Sequence, residues 1–261
     1  LPTSTLSKLV QAVHKEFTFL NPNPSPQDVV AARRQENEQA MLLLGADSIC
    51  LEQFHDSIYR GSPERNIFFY QRMKEILGDV HPAEATITEE IGNAVIRLSD
   101  RYDKETVFYA PLAIGNHVDH QITHQVGIAL HDAGLKVLFY EDYPYSDTKE
   151  YFRIPCRLLL GRNRGWLRVL EPLLLLFFLS LAKQGWLMGK RYQTVEERAK
   201  EDSLTEKIIP LSEQDITAKS RSVAAYTSQV PMLFESEGII KERFMLYSCC
   251  LGGERVWRKG I

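Results

Sequence analysis

The sequence predicts an α/β fold with a mainly parallel sheet flanked by helices, and three observations carry that expectation. Apolar runs rich in β-branched and aromatic residues recur, the clearest being "ETVFYAPLAIG" and "KVLFYEDYPY". Helix-length stretches with apolar residues at helical spacing lie before and between them. Glycines such as Gly45 and Gly134 close those stretches, as left-handed helix ends favour. Strands alternating with helices argue for βαβ units and hence for parallel pairing.

In chain order, "LPTSTLSKLVQAVHKEFTFL" predicts a helix around Leu6 to Phe17, broken by the prolines of "NPNPSPQD". Asp28 is placed to cap a second helix, whose apolar positions are Val29, Ala32, Ala40, Leu43 and Leu44 and whose stop is Gly45. "SICLEQF" reads as a short buried strand, and Glu64 to Leu77 and Ala83 to Leu98 as two helices. Val107 to Pro111 is a buried strand, followed by a helix from Asn116 to Ala133 with Asn116 as its cap. "KVLFYEDYPY" is the next buried strand. "VEERAKEDSLTEK" reads as a solvated helix face, and a long helix from Asp215 leads to the closing "RFMLYSCCLGGERVWR".

With 261 residues, 44% hydrophobic and 25% charged, the chain has the composition of an ordinary globular protein, read as a single domain over 1–261. A net charge of −3 gives no basic surface for nucleic acid, so a small molecule is the natural partner. Cys50, Cys156, Cys249 and Cys250 form no C-x-x-C pair and read as buried or incidental thiols of a reducing compartment, which points to the cytoplasm. No signal peptide opens the chain, and a first residue of Leu1 rather than Met predicts missing upstream residues.

Residues 153–207 break the rhythm and read as a helical apolar and basic insertion. Within it, Pro172 to Ala182 carries no charge, and Trp166 and Trp186 stand outside that run with basic residues on both sides. The run is shorter than the ~20 residues of a spanning helix. Two uses fit it: peripheral membrane contact through 166–187, or a buried or homo-oligomer-facing helix.

Chemistry is expected where the strand Val107 to Pro111 ends, because ligands of open α/β sheets bind beyond the carboxyl ends of strands. The sequence there is "APLAIGNHVDHQITH". A helical wheel puts Ile122, Val126, Ala129, Leu130 and Ala133 on one face and His117, His120, His124 and His131 on the other, away from the core. His117 and His120, at i and i+3, can reach one ion or one substrate, and Asp119 suits the helix start and can orient an imidazole. His124, a turn further on, reads as solvated. Two histidines remain short of the three protein ligands of a catalytic zinc. Glu141 and Asp142 read as a polar pair that ends a strand.

Several blocks in order resemble the PIG-L or LmbE-like de-N-acetylases: "VVAARRQENEQAMLLLGAD", "HDSIYR", "PLAIGNHVDHQ", "LFYEDYPY", "AYTSQVPMLF" and "GGERVWR". The resemblance implies a Rossmann-like fold and zinc-dependent hydrolysis of an N-acetyl group from an N-acetylglucosamine-type sugar conjugate. It makes His120 a zinc ligand and His117, with Asp119 beside it, the catalytic group that steadies the oxyanion or acts as acid. It also sets Arg33, in R-x-x-E with Glu36, together with Asp56 and Tyr143, along the substrate. On the residues alone, Arg33 reads as a surface helix cation and Asp56 as a loop cap. The family's H-x-D-D motif, with two zinc ligands and the general base, has no counterpart here. The resemblance therefore implies an N-terminally truncated and inactive chain, or a degenerate relative that binds a sugar or a protein. A nucleotide-dependent Rossmann enzyme is disfavoured, since no G-x-G-x-x-G follows a strand.

Overall fold

In the computed structural model of the chain, the described residues are all except 1–6, 18–21, 63–66, 100, 104, 148–191, 235 and 261. They group into two compact units, one of residues 1–72 with 208–254 and one of 73–207 with 255–261.

The first unit begins with α1 (Lys8–His14), capped by Ser7 and prolonged by a 3-10 turn, Lys15–Phe17. α2 (Pro26–Leu43) follows the proline-rich stretch. Its N-cap is Ser25 rather than Asp28; the two form a capping box, in which Asp28 accepts from the Ser25 backbone and Ser25 from that of Asp28. Val29, Ala32 and Ala40 are buried as their spacing predicts, whereas Leu43 and Leu44 stay exposed. "SICLEQF" forms no strand: Ile49 and Cys50 are exposed and the segment pairs with no strand among the described residues.

The helix expected over Glu64 to Leu77 is instead a small antiparallel hairpin, β1 (Gly61–Ser62) with β2 (Ile67–Phe68), before a single turn α3 (Met73–Ile76). Gly61 permits this geometry, since at φ +139° a Cβ would collide with Ile67 O. The long helix expected from Asp215 is divided into α7 (Glu213–Ala224) and α8 (Val230–Leu233), followed by α9 (Glu237–Leu251). α2 and α9 both contact α7. The carboxylate of Glu36 on α2 is buried, accepting from Thr227 Oγ1, Ser228 N–H and Ser228 Oγ at 2.9, 2.7 and 2.7 Å.

The second unit holds α4 (Ile87–Ser99), β3 (Val107–Pro111), α5 (Val118–Asp132), β4 (Lys136–Tyr140) and α6 (Val195–Glu201). Its sheet runs β3-β4-β6-β5, with β5 at Leu204–Ile209 and β6 at Glu254–Lys259. β3 and β4 are parallel across the α5 crossover, but β4 and β6 are antiparallel. The sheet is thus mixed rather than mainly parallel, because the chain returns to β4 through its last strand. The core gathers Leu112, Val126, Leu130, Phe139, Leu204 and Trp257.

Two expectations change here. The stretch "VEERAKEDSLTEK" is not one solvated helix face: α6 ends at Glu201, Ser203 turns the chain at φ +55°, and β5 begins at Leu204. Val195, Ala199 and Leu204 belong to the core, so the last part of the span 153–207 is integral to the fold. The apolar segment 166–187 lies outside the described residues, and among those described no helix is long and apolar enough to cross a membrane. Of the two readings of the cysteines, buried or incidental, Cys50, Cys249 and Cys250 fit the second as exposed free thiols, and Cys156 lies outside the described residues.

Candidate active site

β3 ends in a turn whose backbone is buried and unusually constrained. Ala113, Gly115 and Asn116 have φ of +61°, +87° and +59°. For the two residues with a Cβ this is a left-handed conformation that surrounding bonds must hold in place. Those bonds are present: Leu112 N–H donates to Tyr140 O at 2.9 Å, Ile114 N–H to Asp142 Oδ2 at 3.2 Å, and Gln121 Nε2 to Asn116 O at 2.6 Å. Asn116 is buried in this turn and does not cap α5. His117 is the cap, and its Nδ1 accepts from Asp119 N–H at 3.2 Å.

That cap decides which nitrogen of His117 carries the proton. With Nδ1 used as an acceptor, the neutral ring holds its hydrogen on Nε2. The Asp119 carboxylate lies 3.9 Å from Nδ1. Next to it, His120 Nδ1 lies 2.6 Å from Asp142 Oδ1. The His120 side chain is one-third exposed while that of Asp142 is 1% exposed. Nδ1–H donating to the carboxylate leaves the His120 Nε2 lone pair for a ligand. The two imidazoles stand 5.2 Å apart, and the Tyr145 ring meets His120 edge-on at 5.6 Å. Tyr143, the pocket wall expected from sequence, is half-buried in the same turn, but the ring packed on His120 is that of Tyr145.

His124 is a correction. It is 1% exposed, its ring packs on Phe139 at 4.9 Å, and its nitrogens meet Pro111 O at 2.8 Å and Asp202 Oδ2 at 3.0 Å. The helical wheel assumed one apolar face. α5 instead packs on α4 as well as on β3 and β4, so its buried arc is wider than its apolar stripe. Asp142, expected only to end a strand with Glu141, is instead buried against His120. The signal available was an acidic pair directly after one strand, beside a strand followed by histidines.

In the first unit, Arg33 and Asp56 are a pair: Arg33 Nη1 donates to Asp56 Oδ2 at 2.9 Å, with both side chains about one-third exposed. Asp56 Oδ1 also caps the 3-10 turn Ser57–Tyr59 by accepting from Ile58 N–H. The cap and the charge partner are therefore the same residue. Arg33 Nε is buried with no hydrogen-bond partner. Burial, reinforced by the Asp56 charge, raises the Tyr59 phenol well above its ordinary pKa, with Arg33 opposing.

Among the described residues, no three His, Cys, Asp or Glu side chains converge as a metal set. His120, backed by the buried Asp142, has the form of one zinc ligand with its orienting carboxylate. The residues present fit one corner of a zinc site.

No protein-family model matches the chain. Over 139 residues, 52% of its length, the chain is 30% identical to 2'-N-acetylparomamine deacetylase of Niallia circulans. That match covers 48% of the relative, so the chain spans about half the length of the curated relative it matches. Among solved structures, the zinc-inhibited form of teicoplanin deacetylase Orf2 is similar, with a TM-score of 0.63 at 18% identity, covering 97% of this chain and 80% of that one. The A40926 pseudoaglycone deacetylase Dbv21 gives 0.55 at 18% identity, covering 97% and 78%. At that identity the structural likenesses show the fold: an α/β fold with a mixed sheet flanked by helices, shared with deacetylases.

Proposed function

We propose that the chain carries part of the catalytic centre of a zinc-dependent N-deacetylase of the PIG-L or LmbE-like kind. Its substrate class is an acetylated amino-sugar conjugate, of which 2'-N-acetylparomamine is the example set by the sequence relative. The observation that carries the reading is His120, held at a strand's carboxyl end with Nδ1 on the buried Asp142 and Nε2 available to a metal.

When bound, zinc supplies a water of lowered pKa and positive charge for the acetamide oxygen. His120 is the ligand from this chain, and Asp142 fixes its tautomer and ring plane. His117 holds a proton on Nε2 and donates it as a hydrogen bond to the oxyanion that develops when the carbonyl is attacked. The Asp119 N–H keeps the His117 ring in that tautomer. Arg33 and Asp56 offer the guanidinium and carboxylate that hold sugar hydroxyls, and this assignment rests on the family resemblance.

The test is acetate release from 2'-N-acetylparomamine by the purified chain in ZnCl2, with bound zinc measured in parallel. The expected result is zinc binding that His120→Ala abolishes and, once the remaining donors of the set are supplied, zinc-dependent acetate release that the same substitution abolishes. Unchanged zinc binding in that variant overturns the assignment of His120. One observation favours a second reading: the described residues provide no three-donor set. A non-catalytic sugar-binding relative would bind 2'-N-acetylparomamine without zinc and release no acetate.

A further inference from the structure

We infer that Arg255, in the last strand of the sheet, is a positioning residue for His120, acting through Glu141 and Asp142. The inference rests on the reading of His120 as a metal ligand. It adds a third layer, 135 residues away in sequence, that the histidine motif gives no hint of.

The argument begins with register. β4 and β6 pair antiparallel with Phe139 opposite Trp257 and Tyr140 opposite Val256. One further step places Arg255 opposite Glu141, and the period of two along a strand puts Arg255 and Trp257 on one face. The contacts agree. Arg255 Nε lies 2.6 Å from Glu141 Oε1, an ion pair close in distance but outside hydrogen-bond alignment, and Trp257 Nε1 donates to the same oxygen at 3.2 Å. The Arg255 guanidinium also stands over the Trp257 ring, 5.6 Å from its centroid.

Glu141 is buried, with its side chain 3% exposed, and Arg255 is 16% exposed. A carboxylate taken this far out of water needs its cation, since removing one member of a buried pair leaves an uncompensated charge. Among the described residues, two more exposed carboxylates stand near Arg255: Glu196 Oε1, 68% exposed, accepts from Nη1 at 3.4 Å, and Glu206 Oε1 is 3.9 Å from Nε. Among the described residues, Glu141 is the buried carboxylate paired with Arg255, and Arg255 and Trp257 both hold it.

The residue after Glu141 is Asp142. One of its oxygens takes Ile114 N–H from the strained turn, and the other takes His120 Nδ1. Glu141 and Asp142 share a peptide, so pinning the first limits the rotation and shift available to the second. A 2.6 Å bond between an imidazole and a carboxylate is lost with small displacements. Cutting the Arg255 contact removes the buried charge partner of Glu141 and leaves Asp142 less firmly placed against its two partners.

The experiment compares Arg255→Met, Arg255→Lys and Glu141→Gln with Val256→Ala in the full chain. Val256 is a buried β6 neighbour whose truncation weakens packing and leaves the ion pair intact. The first readout is the NMR signal of the His120 Nδ1 proton, which needs neither metal nor substrate. The second is affinity for zinc alone, from chelator competition.

Arg255→Met and Glu141→Gln are expected to broaden or lose the Nδ1 proton and to weaken zinc about 10-fold, the low end of what outer partners of a metal ligand cost. Arg255→Lys, which keeps the charge without the planar fork, should recover part of both. Val256→Ala should lower the melting temperature while keeping the His120 signal. The proposal is overturned if Arg255→Met keeps that signal and matches Val256→Ala in melting temperature. If Arg255→Met does not fold, an unchanged His120 signal in Glu141→Gln overturns it instead. Wild-type protein that binds no zinc sinks the metal reading, whereas the NMR comparison still decides the role of Arg255.

Discussion

His117 caps α5 and is proposed to act on the oxyanion through the same ring, and the two can be separated. Nδ1 caps α5, and Nε2 carries the hydrogen assigned to the oxyanion. Asparagine is among the best N-cap residues but puts no imidazole N–H where Nε2 stands. His117→Asn should therefore hold stability within ~0.5 kcal/mol of the parent, while His117→Ala loses ~1 kcal/mol with the cap. Acetate release should fall on the order of 10²-fold or more in both, the usual loss on removing an oxyanion donor. Urea midpoints and initial rates on the two variants check this; a variant that keeps the rate shows that His117 only caps. The same residue scale marks where sequence reading runs out. His117 and His120 were legible because they stand together just after a strand. Asp142 was not, because its role depends on β3 and β4 lying side by side, and nothing within its own neighbourhood distinguishes it from a solvated acid at a strand end.

At the scale of elements, the βαβ unit was legible because β3, α5 and β4 each obey one period and end on a clear signal, as Gly134 does with φ at +88°. "SICLEQF" failed because β propensity describes fit to a half-buried pleated surface, and no strand stands beside it among the described residues. The sheet's mixed direction was illegible for a related reason. β6 pairs with β4 across more than a hundred residues of chain, and no local pattern encodes the direction of so distant a partner. Close packing within the βαβ unit gives a prediction of its own. Gly127 on α5 faces the sheet so closely that a Cβ there would lie 2.6 Å from Ala110 Cβ and 2.8 Å from Phe139 Cε1. Ala110 has no rotamer to give, so the helix must move. Gly127→Ala gains up to ~1 kcal/mol of helix propensity but costs ~1–3 kcal/mol in overpacking. Net destabilisation by about 1–2 kcal/mol is expected in chemical denaturation. A variant as stable as the parent would mean that α5 has room to withdraw and does not set the position of the histidine turn tightly.

For the molecule as a whole, pH enters through a buried histidine remote in sequence from the turn that carries His117 and His120. His14 ends α1; Nδ1 lies 3.0 Å from Pro24 O and Nε2 lies 2.9 Å from Tyr59 OH. One ring thus ties the first helix both to the proline-rich entry of α2 and to the turn that Asp56 caps. A neutral ring satisfies both contacts, with Nδ1–H donating to the carbonyl and the phenol donating to Nε2. Burial disfavours the charged form and lowers the His14 pKa below its ordinary value, with the Pro24 carbonyl opposing in part. Between that lowered value and the unfolded value of about 6.5, the unfolded chain binds more protons than the folded one. Stability therefore rises with pH across this window, is fully present above it, and is lost as pH falls through the folded value. The measurement is the urea midpoint by far-UV circular dichroism at several pH values from about 7.5 down to 5, for the parent and for His14→Gln. Glutamine removes the titration, so the parent should lose more stability than the variant across the window, even if the variant is weaker at every pH. Parallel pH curves for the two proteins would place the acid sensitivity of the fold elsewhere and leave His14 as a neutral tether only.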